Sequence, residues 1–262
     1  MLATLEKFVN DDGARMSVFD LNAVLDEAVD RHPFRPAVSC DGFETDFERL
    51  DESVEWLREE LVARGVQPRA RIGVCITDGW EFVLAFHVLA RLDAVMVPID
   101  PFDDVSLRGA GELDLHHIIF HREQDAVLEE AVALISGEAF CPMFDVAEVF
   151  TLVVVSVDSP LHVEGGLFLN ELGFRFRSSV EVGARTAALS VGLELGPESR
   201  VMVCGPWSCP CAVLLLLACA TSGSCVQVIQ EPRGYGGVLE SVAVVVGGSG
   251  GAPQSLGRDA IY

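Results

Sequence analysis

A chain of 262 residues that is 50% hydrophobic can bury a sizeable core, as one large α/β domain or two small ones, and one domain is the simpler expectation. Its 40 acidic residues against 18 basic ones give a formal net charge of −22, which works against a phosphate-backbone partner because no local basic patch offsets it. The acidic residues are spread along predicted helices, the pattern of a solvated surface.

In chain order, Leu21 to Val29 reads as an amphipathic helix, with Leu21, Val24, Leu25 and Ala28 on one face and Pro33 and Pro36 beyond its end. Ala37 to Cys40, the turn pair Asp41-Gly42 and Phe43 to Phe47 form a predicted hairpin whose corner needs a residue tolerant of positive φ. A helix from Glu48 to Arg64 closes at Gly65. An apolar strand from Arg71 to Ile76, a helix from Trp80 to Leu92 and a buried strand from Ala94 to Pro98 follow.

Several blocks in this stretch occur in one order: Arg35-Pro36-Ala37-Val38, Phe47-Glu48-Arg49-Leu50-Asp51, Gly65-Val66-Gln67-Pro68-Arg69-Ala70-Arg71-Ile72, Glu81-Phe82-Val83-Leu84-Ala85-Phe86, and Ala94-Val95-Met96-Val97-Pro98-Ile99-Asp100-Pro101. Together they resemble the opening of the adenylate-forming enzymes, the superfamily of acyl-CoA synthetases, nonribosomal-peptide adenylation domains and luciferase. The resemblance implies an α/β fold of layered sheets flanked by helices, like the N-terminal part of such an enzyme without its small C-terminal domain. Asp93 stands where the family usually has Gly.

Beyond Pro101, Leu113 to Phe120 reads as a strand, Glu123 to Ile135 as a helix, and Leu152 to Ser156 as a strand. That last strand resembles the one that leads, in the family, into a Ser/Thr/Gly-rich loop ending in Pro-Lys-Gly, which holds the phosphates of ATP. Here Ser156 to Leu167 offers Ser156, Ser159, Gly165 and Gly166, without threonine or lysine, and adds Asp158 and Glu164. Each carboxylate beside a polyphosphate would cost on the order of 1 kcal/mol or more. The segment is read as a degenerate phosphate loop.

The resemblance resumes in the helix Ser178 to Leu189 and the turn and strand Gly192 to Val203. Gly205 to Cys209 takes the place of a family segment near the acyl pocket, with Trp207 and Ser208 but no histidine. Cys211 to Ala220 reads as a buried helix, Ser224 to Ile229 as a strand, and Leu239 to Val246 as a buried strand ahead of Gly247 to Pro253. A strand ending in Gly-Gly-Ala-Pro borders the adenine in the family, so Trp207, Ser208, Gly250, Gly251, Ala252 and Pro253 are the candidate pocket residues the resemblance implies. A dinucleotide fingerprint is excluded there, since it must open a helix and carry an acidic residue about 20 positions on.

No metal site is expected. Cys209-Pro210-Cys211 is the one close cysteine pair, and a single intervening residue is poor geometry for a shared tetrahedral ion. His117 and His121 share a face of a predicted strand without a third ligand nearby, so solvent-edge or hydrogen-bonded histidines are expected. Met1 to Arg15 lacks the basic start and apolar middle of a signal peptide, and the ten-residue run Cys211 to Ala220 is short of the roughly 20 residues a membrane span needs. A cytoplasmic location is therefore expected, away from membranes.

These readings give an N-terminal extension over residues 1–16 and a single shortened adenylation-like domain over 17–262. Lys7 is the only lysine, far from any position where the family uses one, and the chain stops at Tyr262, ahead of the family's magnesium-holding and ribose-binding acids. The expectation is a non-catalytic adenylation-like protein with no catalytic residues and no cofactor, acting beside an active ligase, a carrier protein or a second copy of itself. The alternatives are a protein that binds a small carboxylic acid, and an AMP-forming ligase that uses ATP and magnesium through altered residues or a separate C-terminal subunit.

Overall fold

The computed structural model describes residues 19–40, 42–77, 79–122, 125–137, 141–156, 159–170, 173–204, 207–228, 243–247 and 254–256. A 3-10 turn, Leu21–Ala23, leads into α1 (Val24–Arg31), which ends before Pro33. The hairpin β1 (Pro36–Cys40) and β2 (Phe43–Asp46) turns through Gly42 at φ +83°, a conformation a side chain would strain. Asp46 then caps α2 (Phe47–Ala63) by accepting from the Arg49 amide at 2.9 Å.

The alternation expected next is present in β3 (Arg71–Cys75), α3 (Gly79–Arg91) and β4 (Val95–Pro98). After it come α4 (Asp104–Gly111), β5 (His117–His121), α5 (Asp125–Ser136), β6 (Met143–Val146) and β7 (Phe150–Val154). The hairpin β8 (Gly166–Asn170) and β9 (Phe174–Ser178) runs into α6 (Ser179–Gly192). Last are β10 (Arg200–Cys204), α7 (Pro210–Ser222), β11 (Cys225–Val228), β12 (Ala243–Gly247) and β13 (Gln254–Leu256).

The strands form two sheets. One has the order β6-β7-β5-β3-β4-β8-β9, with β3, β4, β5 and β8 parallel and the other three antiparallel to their neighbours. The other has the order β13-β12-β10-β11-β1-β2, with β10, β11 and β1 parallel. One apolar cluster draws side chains from both sheets and from α1, α2, α3 and α7, so these helices are the filling between the layers. A second cluster packs α4 and α5 on the far face of β3, β4 and β5. This is the layered α/β arrangement expected.

The long apolar run is α7, whose residues from Pro210 to Ala220 are all buried. A helix that is apolar all round belongs in a core, and 13 residues reach only about 20 Å. Among the described residues no helix is long and apolar enough to cross a membrane.

Some elements carry no usable signal in the sequence. The strands β6, β8 and β9 are four or five residues long, too few for a period-two pattern to stand out, and α4 carries Gly109 and Gly111, which weaken its helical signal. The extension over 1–16, and Leu239 to Val242 at the start of the last expected strand, lie outside the described residues.

Candidate functional site

In an open α/β sheet, ligands bind beyond the carboxyl ends of the parallel strands. For the seven-stranded sheet that edge follows Cys75, Pro98, His121 and Asn170. The connection from β7 to β8 runs along the opposite edge. Val155 and Ser156 donate their amides to the His116 carbonyl at 2.9 and 3.2 Å, and the His162 amide donates to the Arg69 carbonyl at 3.0 Å. His116 and Arg69 lie one and two residues ahead of β5 and β3, so the segment crosses the amino ends of the parallel strands.

Several of its polar groups are bonded there. Ser159 Oγ donates to Ser156 Oγ at 3.1 Å, and the Ser159 carbonyl meets His116 Nε2 at 2.9 Å. Arg69 binds the Val163 carbonyl with one guanidinium nitrogen and, through Nε, Asp93 Oδ2 at 3.1 Å. The Gly165 carbonyl accepts from the Ser179 amide at 3.2 Å, at the start of α6. A Cβ on Gly166 would stand 2.2 Å from the Arg177 carbonyl oxygen, so this glycine serves the close approach of β8 to β9. Asp158 lies outside the described residues.

Asp93, the residue in a family glycine position, takes φ +53° and uses its side chain to hold Arg69. Arg69 itself has φ +64°, and its amide donates to the Asp93 carbonyl at 2.7 Å. The departure from glycine was visible in the sequence, whereas its partner was not.

Trp207 is at the other end of the fold, after β10. It is 5% exposed, and its ring stacks on Phe82 with centroids 5.4 Å apart. A Cβ on Gly79 would stand 2.6 Å from the Trp207 ring and 2.2 Å from Val228 Cγ1, so the first turn of α3 is packed against the carboxyl ends of β10 and β11. Ser208 is half-buried, and Gly250, Gly251, Ala252 and Pro253 lie outside the described residues. The structure therefore does not bring Trp207 together with Ser156, Ser159, Gly165 and Gly166. Trp207 lies beyond the carboxyl end of β3, against Gly79, and those residues lie across its amino end.

The histidines at and just before β5 differ in their surroundings. His116 Nδ1 accepts from the Arg71 amide at 3.0 Å, so Nε2 carries the proton that goes to Ser159. His117 Nδ1 is buried without a hydrogen-bond partner among the described residues, and burial, then His116, pushes this imidazole down to about 4. His121 Nε2 is 3.6 Å from Glu81 Oε1. Among the described residues no group of three His, Cys, Asp or Glu side chains could hold a metal ion. Burial pushes the thiols of Cys75 and Cys219 up, and that of Cys225 to about 11, which leaves them protonated and unreactive.

An open cleft of about 620 Å³ lies between α1, α2 and α3, lined by Asp20, Asp26, Asp51 and Glu55 with Arg58 and Arg91. Arg91 pairs with Asp26, with Asp51 at 2.5 Å and with Glu55 at 3.8 Å. The hydrogen bond from Arg58 first, with Arg91 adding to it, holds the Glu55 carboxyl below its usual range. Four carboxylates against two guanidiniums would repel a polyphosphate, so the cleft reads as an ion-pair network joining three helices. Replacing Arg91 by Ala leaves these carboxylates facing one another and is expected to cost about 2 kcal/mol in urea unfolding, less in high salt. An unchanged midpoint would mean the network contributes nothing.

Residues 25–164, just over half the chain, match the family of AMP-binding enzymes. The chain is 31% identical over 81 residues to the phosphinothricin tripeptide synthetase PhsC of Streptomyces viridochromogenes, a stretch covering 31% of this chain and 8% of that protein. It is 30% identical over 81 residues to tyrocidine synthase 3 of Brevibacillus parabrevis, covering 31% of this chain and 1% of that protein. Among solved structures, the N-terminal domain of FACL13 from Mycobacterium tuberculosis superposes with a TM-score of 0.61 at 14% identity, over 82% of this chain and 58% of that one. The O-succinylbenzoate coenzyme A synthetase of Bacillus subtilis gives 0.60 at 13% identity, over 78% and 43%. The chain thus spans less than two thirds of each of these proteins, and the structural likenesses speak to fold alone.

Proposed function

Because the chain belongs to the family of AMP-binding enzymes, we propose that it keeps the scaffold of that family without its phosphoryl chemistry and acts as a non-catalytic partner module. The observation that carries this reading is the placement of Ser156 and Ser159 to Gly165 across the amino ends of the parallel strands. Forming an acyl adenylate requires backbone amides, hydroxyls and a cation around the β- and γ-phosphates of ATP, because the transition state is stabilised almost wholly by electrostatics and positioning. In this chain the hydroxyls of that segment bond each other and its carbonyls bond Arg69 and His116. The only lysine in the sequence is Lys7, which precedes the described residues.

The stretches shared with a tripeptide synthetase and a tyrocidine synthase favour a setting in peptide assembly, with a carrier protein or an active synthetase as the partner. ATP–pyrophosphate exchange over a panel of amino and carboxylic acids is expected to show no label transfer above a no-protein control. Robust exchange by the purified chain alone would end this reading. Exchange that appears only after a separate polypeptide is added would favour a ligase completed in trans.

A further inference from the structure

We propose that His116 is a pH-sensitive latch that fastens the segment Ser159 to Gly165 across the amino edge of the seven-stranded sheet. Both ring nitrogens are committed, and in opposite senses: Nδ1 accepts the Arg71 amide proton at 3.0 Å while Nε2 donates to the Ser159 carbonyl at 2.9 Å. Only the neutral imidazole can do this, since the imidazolium donates from both nitrogens and accepts at neither. A proton added to Nδ1 points at the Arg71 N–H. The ring must then leave β3, and Ser159, which rides on Nε2, goes with it.

The groups around this ring set the direction of the response. Burial lowers its affinity for a proton, the Ser159 bond raises it, Arg71 on β3 lowers it and Asp114 ahead of β5 raises it. His117 is the neighbouring titratable group on β5. Along the segment, Arg69 and Asp93 hold the Val163 end, and His162 Nδ1 meets the Glu164 carbonyl at 3.0 Å while its ring packs at 4.1 Å on Phe176. The latch is fully closed above the ordinary histidine range and opens as the pH falls through the lowered value. The strand β5 that follows His116 is zipped to β3 and β7 by backbone pairing that no proton touches, so the response is local to the segment.

Hydrogen–deuterium exchange of the purified chain between pH 7.5 and 5, corrected for intrinsic rates, tests this. The His162 amide, which donates to the Arg69 carbonyl, is the reporter. Protection over residues 159–165 is expected to fall progressively with acidification, while β3 and β5 keep theirs. His116→Asn, whose Oδ1 takes the place of Nδ1 and accepts from Arg71 without titrating, should show no pH-dependent loss of protection. His162→Asn should keep the wild-type response, and His116→Ala should be unprotected already at pH 7.5. Loss of protection in His116→Asn parallel to wild type, or no loss in wild type, overturns the proposal. If the Asn variant does not fold, the wild-type data still decide: simultaneous loss over the segment and β5 would be global unfolding and would equally overturn it.

Discussion

Acid is expected to destabilise this fold well above the range where its carboxylates protonate, and replacing His87 is expected to remove a large part of that sensitivity. His87 lies in α3 among the side chains of the central core and is 5% exposed. Burial, and then Arg91 one turn on, push its imidazole down to about 3, against 6.5 in the open chain. The sign follows from proton counting. Between those two values the unfolded chain binds a proton that the folded chain refuses, so stability is complete above pH 6.5 and falls as the pH drops toward the folded value. At pH 4.5 the loss from this one residue is about 2–3 kcal/mol, and His117, pushed down to about 4, adds a comparable amount.

For a domain whose total stability is about 5–15 kcal/mol, that is a large fraction. Unfolding in urea at pH values from 7.5 to 4.5 should therefore show a steep fall. His87→Leu, close in volume and without a titrating group, should lower the slope by nearly one proton between pH 6 and 4. An identical slope in the variant would show that His87 is hydrated or protonated in the folded state.

The second large effect is expected in α7. Leu215 is 0% exposed on a helix buried on every side between the sheets. Truncation to Ala removes the transfer free energy of the lost methyls and leaves a cavity that a close-packed interior cannot collapse, together about 3–4 kcal/mol. Val180 on α6 is 58% exposed, and its truncation should change stability by less than about 0.5 kcal/mol. Chemical denaturation of the two variants side by side checks this. Similar losses in both would mean that α6 is covered in solution, and small losses in both would mean that α7 is not the filling between the layers.

Much of the fold was legible in the residues. The helical spacing of Leu21, Val24, Leu25 and Ala28, the Gly42 corner, the caps around α2 and the apolar β3 and β4 each carry a local signal that the structure reproduces to within a few residues. The blocks between Arg35 and Pro101 gave the superfamily for the same reason, since they record local packing in chain order. The ten-residue apolar run had to be buried somewhere, and its length excluded a bilayer.

The site was less legible, because its logic is long-range. Ser156, Ser159, Gly165 and Gly166 have the composition of a loop near phosphate, yet their position follows from β7 pairing antiparallel to β5, which delivers the chain to the amino edge of the sheet. A period-two pattern is the same for parallel and antiparallel pairing, so the sequence could not distinguish the two directions. The bond between Arg69 and Asp93 spans 24 positions and that between His116 and Ser159 spans 43, and nothing in either local stretch announces the other.

Local propensity, hydrophobic period and composition were enough to give most of the helices and strands, though not α4, β6, β8 or β9, together with the superfamily scaffold and the lysine-poor, acidic character. The tertiary structure decided which edge the β7–β8 connection crosses, that Trp207 is packed against α3, and that His116 binds with both of its nitrogens. Those outcomes depend on strand direction and on contacts between residues distant in the chain.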